Sequence, residues 1–189
     1  TGFRMGELLN PVKLCDDILE YFKQNRAIFD VLDIQTPNKD ELLVELGEYK
    51  EKLSAFITNT TNLVWKAIDE NKRILLEGAQ GTMLDIDFGS YPFVTSSSTV
   101  TAGVCSGLGI APSKIGRVFG IVKAYCTRVG SGPFPTELFD NDGEELCQKG
   151  REFGATTGRK RRCGWLDMVA LNYACMLNGV TDIMLMKID

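Results

Sequence analysis

The chain has 189 residues, 44% of them hydrophobic and 24% charged, which suits an ordinary soluble globular domain, or a large piece of one, with a substantial core. A formal net charge of −4 argues against a nucleic-acid partner, and the complete absence of histidine removes the commonest zinc ligand and the commonest general base. No apolar run approaches the roughly 20 residues of a membrane span, and six cysteines without CxxC pairs read as reduced thiols of an intracellular protein, most of them buried.

The first part of the chain predicts helices. Residues 10–26 place Val12, Leu14, Cys15, Ile18, Leu19 and Phe22 at helical spacing, with Pro11 suited to the first turn. Residues 41–56 carry a second helical pattern, with Asn38 as a cap near its start, and residues 58–71 a third. Residues 1–72 are thus mainly helical and offer little visible chemistry.

Residues 73–189 read differently. Residues 73–76 suit a short buried strand that runs into Glu77-Gly78-Ala79-Gln80-Gly81-Thr82. A glycine-flanked glutamine at a strand end is a binding-site candidate, and a plain tight turn is an equal alternative. Five consecutive hydroxyls, Thr95, Ser96, Ser97, Ser98 and Thr99, precede a small-residue segment, where they can cap a helix or bind an anion; capping accounts for only some of them. Residues 118–125 suit a central strand delivering a glycine-rich stretch through Gly130, Gly132 and Pro133, and residues 143–154 suit a short helix. Residues 165–177 place Leu166, Val169, Ala170, Tyr173 and Leu177 along one helical face, with Asn178-Gly179 as a stop, and residues 183–186 read as a last strand in the same sheet. Polar or glycine-rich loops at three strand exits predict an α/β fold: a partly parallel central sheet with flanking helices and a ligand site along one sheet edge. The chain opens without a methionine and closes directly after a strand-like run, so it is expected to be a piece of a longer protein.

The most telling segment is Thr156-Thr157-Gly158-Arg159-Lys160-Arg161-Arg162, ahead of Cys163-Gly164-Trp165. A block of positive charge alone reads as a solvated surface, a targeting signal or a nucleic-acid patch. Two hydroxyls and a permissive glycine at the same spot add neutral donors and close backbone approach, which favours a loop that grips carboxylate or phosphate groups.

Four segments together carry a family resemblance. They are Glu77 to Thr82 with Leu84-Asp85-Ile86-Asp87; Tyr91-Pro92-Phe93-Val94-Thr95-Ser96-Ser97; Lys123 to Gly130 with Gly132 to Leu138; and Thr156 to Asp167. In their order and text the chain resembles adenylosuccinate synthetases. The resemblance implies a P-loop-NTPase-like α/β fold, here incomplete, and a partial single domain over residues 1–189. It implies a cytoplasmic, homodimeric, magnesium-dependent ligase that joins IMP and L-aspartate at the expense of GTP, with no nucleic acid or membrane partner. By resemblance Gln80 contacts the purine near its reacting oxygen, Thr95 the IMP phosphate, and Val129 and Arg159 the ribose. Ala155, Thr156, Thr157, Gly158, Arg159, Lys160 and Arg161 close on aspartate. Arg161, Lys187, Ile188 and Asp189 meet GTP, the Asp189 carboxylate accepting from guanine; Met186 departs from the small polar residue common before that motif. The phosphate loop, the Mg2+ ligands and the catalytic acid–base pair would lie outside this segment, which is therefore expected to be inactive alone. A noncatalytic nucleotide- or anion-binding module and a different phosphoryl-transfer enzyme are the competing readings.

Overall fold

A computed structural model of the protein describes residues 2–154 and 158–189. The chain forms two compact units, Thr1–Leu63 and Val64–Asp189.

The first unit is helical. A 3-10 turn (Met5–Leu9) leads to α1 (Pro11–Gln24), α2 (Arg26–Val31) and α3 (Lys39–Leu53). Pro11 takes the first turn of α1, where its missing N–H costs nothing, and the Asn10 side chain accepts from the Lys13 amide. Asn38 caps α3 as expected, its Oδ1 accepting from the Asp40 and Glu41 amides. The apolar stripe of α1 packs on α3: Leu8, Leu14, Cys15 and Leu46 are buried, with Ile18, Leu19, Leu42, Leu43 and Ile57 around them. The spacing predicts one helix through residue 26. The structure instead breaks it at Asn25 (φ −108°, ψ 20°), and α2 turns Phe29 back to stack on Phe22 at 4.4 Å.

The boundary between the units falls inside α4 (Thr60–Asp69). The second unit then carries α5 (Ala102–Leu108), β1 (Phe119–Lys123), β2 (Tyr125–Arg128), α6 (Asn141–Lys149), β3 (Arg162–Trp165), α7 (Met168–Asn178) and β4 (Asp182–Met186). It is α/β: β1 and β4 pair in parallel, with Phe119 opposite Asp182 and Lys123 opposite Met186, while β2 and β3 pair antiparallel. The last strand thus joins the expected one.

Three expectations are corrected. Residues 73–76 form no strand; no described segment pairs with them and Leu75 is 87% exposed, and an apolar run becomes a strand only when a neighbour meets its backbone groups. Residues 118–125 are not one strand, because the ladder to β4 ends at Lys123 and Tyr125 already belongs to β2. The last helix begins at Met168 because Arg162–Trp165 is taken by β3; Asp167 caps it by accepting from the Ala170 amide at 2.9 Å, and Gly179, at φ +61°, ends it. Val169 consequently faces solvent, although Ala170, Tyr173 and Leu177 are half-buried. All six cysteines are free thiols; three are buried and three half-buried.

Candidate functional site

Gln80 adopts φ +69°, a left-handed conformation that non-glycine residues seldom take, so its surroundings must hold it. The hydroxyl cluster does so. Gln80 Nε2 donates to Thr95 Oγ1 at 3.1 Å, Ser97 Oγ donates to Gln80 Oε1 at 3.3 Å, and Thr99 Oγ1 donates to the Gly81 carbonyl at 2.8 Å. No hydroxyl caps α5, so the capping reading of residues 95–99 is set aside. Behind this pair of loops lies Asp85, fully buried. Its Oδ1 accepts from the Asp87 and Phe88 amides and its Oδ2 from those of Thr99 and Val100, at 2.7–3.3 Å. Burial pushes the Asp85 carboxyl up, but the four amides prevail and hold it below the usual range. The far end of α7 reaches the same place: Asn178 Oδ1 accepts from the Thr101 amide and its Nδ2 donates to Thr82 Oγ1.

Two arginines fix the glycine-rich loop after β2. Arg128 donates to the carbonyls of Ser131 and Pro133 and, from Nη2, to Ser90 Oγ and the Phe93 carbonyl, tying this loop to the segment that carries Thr95. Arg162 Nη1 donates to the carbonyls of Gly130 and Gly132, both at 3.0 Å, while its Nε and Nη2 grip the Glu137 carboxylate. That grip holds Glu137 below the ordinary carboxylate range.

The basic loop is closed at its neck by backbone bonds. Gly154 N donates to the Arg159 carbonyl at 2.9 Å and Arg161 N to the Glu152 carbonyl at 2.9 Å, and Phe153 bridges Lys160. Its cations do not form an open patch. Lys160 pairs with Glu144, Arg162 with Glu137, and Arg161 Nη1 with Glu152 Oε2 at 3.1 Å. Lys160 and Arg161 precede β3, and the three cations are held by three different carboxylates. Arg161 Nε is buried and has no acceptor among the described residues. Beside it, burial and the neighbouring Cys147 push the Cys163 thiol up to about 11, which makes it no nucleophile at neutral pH.

Glu152 gathers the rest. Only 2% exposed, it accepts through Oε1 from Tyr125 Oη at 2.7 Å, Lys123 Nζ at 2.9 Å and Lys187 Nζ at 2.9 Å, besides Arg161 at Oε2. Burial alone would raise its carboxyl; the hydrogen bonds from Tyr125, Lys187 and Lys123 outweigh that and bring it from 4.5 to about 2. Hydrogen bonds, with short stretches of chain such as residues 93–95 and 161–162 between them, therefore lead from Gln80, through the hydroxyls, the glycine-rich loop and the basic loop, to Lys187.

Comparison with known proteins places the chain in a family. Residues 1–189, the whole chain, match the adenylosuccinate synthetase family. The chain belongs to that family. It is 53% identical over 189 residues to the adenylosuccinate synthetase of Wolinella succinogenes, covering all of this chain and 46% of that protein. The structure of fully ligated adenylosuccinate synthetase from Plasmodium falciparum matches with TM-score 0.86 and 43% identity, over 97% of this chain and 43% of that one. A succinoaminodeoxyadenylate synthetase of cyanophage S-2L, bound to dGMP and dATP, matches with TM-score 0.54 and 25% identity over 66% of this chain and 38% of that one. The chain therefore spans less than half the length of these relatives.

Within this adenylosuccinate synthetase chain the expected site residues fall into groups. Gln80 and Thr95 are in direct contact, and Arg161 and Lys187 share one carboxylate. Val129, 50% exposed, leads out of β2 into the arginine-held loop. Gly158, at φ +63°, and Arg159 turn the basic loop. Ile188 and Asp189 follow β4 and are exposed. Ala155, Thr156 and Thr157 lie outside the described residues. Among the described residues no group of three or more His, Cys, Asp or Glu side chains could hold a metal ion, and no helix is long and apolar enough to cross a membrane. The sequence reading missed Asp85, Arg128, Glu137 and Glu152. Its one available signal was the basic run itself, since several cations next to a core require nearby carboxylates.

Proposed function

We propose that the full-length protein containing this chain is a GTP-dependent carbon–nitrogen ligase of purine nucleotide biosynthesis that converts IMP and L-aspartate to adenylosuccinate, GDP and phosphate. The observation that carries this reading is the connected set of loops from Gln80 to Lys187, because it joins the segments assigned to all three substrates. In this reaction the γ-phosphoryl group of GTP moves to the purine 6-oxygen. The aspartate amine then attacks the adjoining carbon, and phosphate leaves with that oxygen.

Each loop has a part that suits its chemistry. The Gln80 amide, braced by Thr95 and Ser97, presents fixed donor and acceptor groups to the purine near the reacting oxygen. Thr95 binds the IMP phosphate, and Val129, with Arg159, the ribose. Residues 155–161 close on aspartate, where the planar Arg161 guanidinium suits a carboxylate or phosphate oxygen. Lys187, Ile188 and Asp189 receive the guanine; a carboxylate that accepts from its two donors excludes adenine, which lacks that pair. Magnesium would supply charge neutralisation in such a phosphoryl transfer, with its ligands expected outside this segment. A homodimer in the cytoplasm belongs to the same reading.

The test is production of adenylosuccinate by the full-length protein, with IMP, aspartate and GTP omitted in turn. Product that requires all three supports the ligase. GTP binding without product from folded protein points to a noncatalytic nucleotide-binding module instead.

A further inference from the structure

We propose that Glu152 is a positioning residue that holds the aspartate side and the guanine side of the site in one register, acting through Arg161 and Lys187. The inference rests on the functional reading above. Glu152 touches no expected substrate position itself, yet one buried carboxylate takes bonds from both cations: Oε2 from Arg161 Nη1 at 3.1 Å and Oε1 from Lys187 Nζ at 2.9 Å. Its main chain holds the same loop, accepting from the Arg161 amide and donating to the Cys147 carbonyl.

The geometry favours positioning over simple support. Lys187 sits at φ +54°, unusual for a side-chain-bearing residue, at the exit of β4; its bond to Glu152 fixes where the three guanine-side residues begin. Tyr125 and Lys123 also donate to Oε1, which holds the carboxylate before either ligand cation is considered. Three cations share one anion, so the cluster keeps surplus positive charge for anionic ligands. Replacing Glu152 by Gln keeps the shape but turns a donor toward at least one of these donors, freeing Arg161 or Lys187. The purine end, braced by Thr95, Ser97 and Asp85, uses none of these bonds and serves as an internal control.

Steady-state kinetics of the full-length enzyme, with thermal melts, test this in Glu152→Gln, Glu152→Asp and Tyr125→Phe. Glu152→Gln is expected to raise KM for aspartate and for GTP together by about tenfold or more, and KM for IMP by less than about threefold. Glu152→Asp, which retains the charge, recovers part of both losses. Tyr125→Phe, which removes one neutral donor, raises both constants by about threefold. Addition of Arg161→Lys to Glu152→Gln costs less than the sum of the two single changes, because they act on one contact. A folded Glu152→Gln enzyme whose KM values for aspartate and GTP both stay within about twofold of wild type overturns the inference. Should Glu152→Gln not fold, the other two variants decide: lowered melting temperature with unchanged KM values overturns it, and a joint rise supports it. A wild type that makes no adenylosuccinate overturns the functional reading and this inference with it, whereas a working wild type with an indifferent Glu152→Gln overturns the inference alone.

Discussion

Asp85 and Glu152 are the two buried acidic side chains among the described residues, at 0% and 2% exposure, and they are satisfied by different donors. Asp85 accepts from four backbone amides and from no cation; Glu152 accepts from a tyrosine, two lysines and an arginine. A backbone amide cannot swing away, so the first carboxylate fixes the course of the chain around Gln80. Side-chain cations can exchange one anion for another, so the second carboxylate holds groups that a substrate can also engage. One loop pair is therefore built as a rigid cradle, and the other as a set of charges held ready.

The largest effect is expected from breaking the cradle. Asp85→Ala leaves the amides of Asp87, Phe88, Thr99 and Val100 without their acceptor and should lower the melting temperature by on the order of 10 °C, or prevent folding. Asp85→Asn keeps one acceptor oxygen but opposes an NH2 to two of the amides, so it should also be destabilised. A circular-dichroism melt of Asp85→Asn matching wild type would show that the carboxylate is not what the amides require.

Next comes the charge cluster, whose share is isolated by comparing Glu152→Gln with wild type down the acid range. Glu152 moves from 4.5 to about 2 in the folded protein, so its contribution to stability is complete above pH 4.5 and is lost as pH falls toward 2. Glu152→Gln should cost about 3 kcal/mol at neutral pH, as expected when one member of a buried ionic cluster is removed. The gap to wild type should narrow as pH falls through that window. Urea midpoints measured down the acid range check it; a gap that does not change with pH would mean that the stabilisation is not ionic.

Arg161→Lys separates the roles within the cluster. Lysine can keep a charge opposite Glu152, so stability should change by less than about 1 kcal/mol. It loses the planar fork, so KM for aspartate should rise by about tenfold. Equal loss of stability and of aspartate affinity would merge the two roles.

The cradle and the cluster differed in how far the sequence revealed them. Gln80, Thr95 and the basic run were visible because residue type and local order carry their meaning, as were the Asn38 cap and the Gly179 stop, which act within a few residues. Glu152 and Asp85 were hidden because their importance lies in burial and in donors brought from distant segments, which spacing does not encode. The strand at Arg162–Trp165 was hidden by its composition, since three charged residues ahead of it read as loop. Gly164 was its clue. A Cβ there would collide with the Thr136 carbonyl, so only glycine lets residues 134–137 close over β3 and bring Glu137 to Arg162. The unpaired 73–76 run shows the converse, an apolar pattern without a neighbour to make it a strand.

The smallest effect should come from trimming the cradle at its rim. Ser97 Oγ gives Gln80 one exposed hydrogen bond at 3.3 Å, worth about 0.5–1 kcal/mol at most in net stability, so Ser97→Ala should melt within a degree or two of wild type. Gln80 then keeps its bond to Thr95 but loses the group that fixes which way its amide faces, and in the left-handed conformation it has few other restraints. On the proposed reading, an amide free to flip would present the purine with the wrong partner part of the time. KM for IMP should therefore rise by about two- to threefold while those for aspartate and GTP stay constant, opposite to the pattern expected from Glu152→Gln. If Ser97→Ala moved all three constants together, the cradle and the cluster would be one mechanical unit, and the distinction between carboxylates that hold backbone and carboxylates that hold charge would not divide this site.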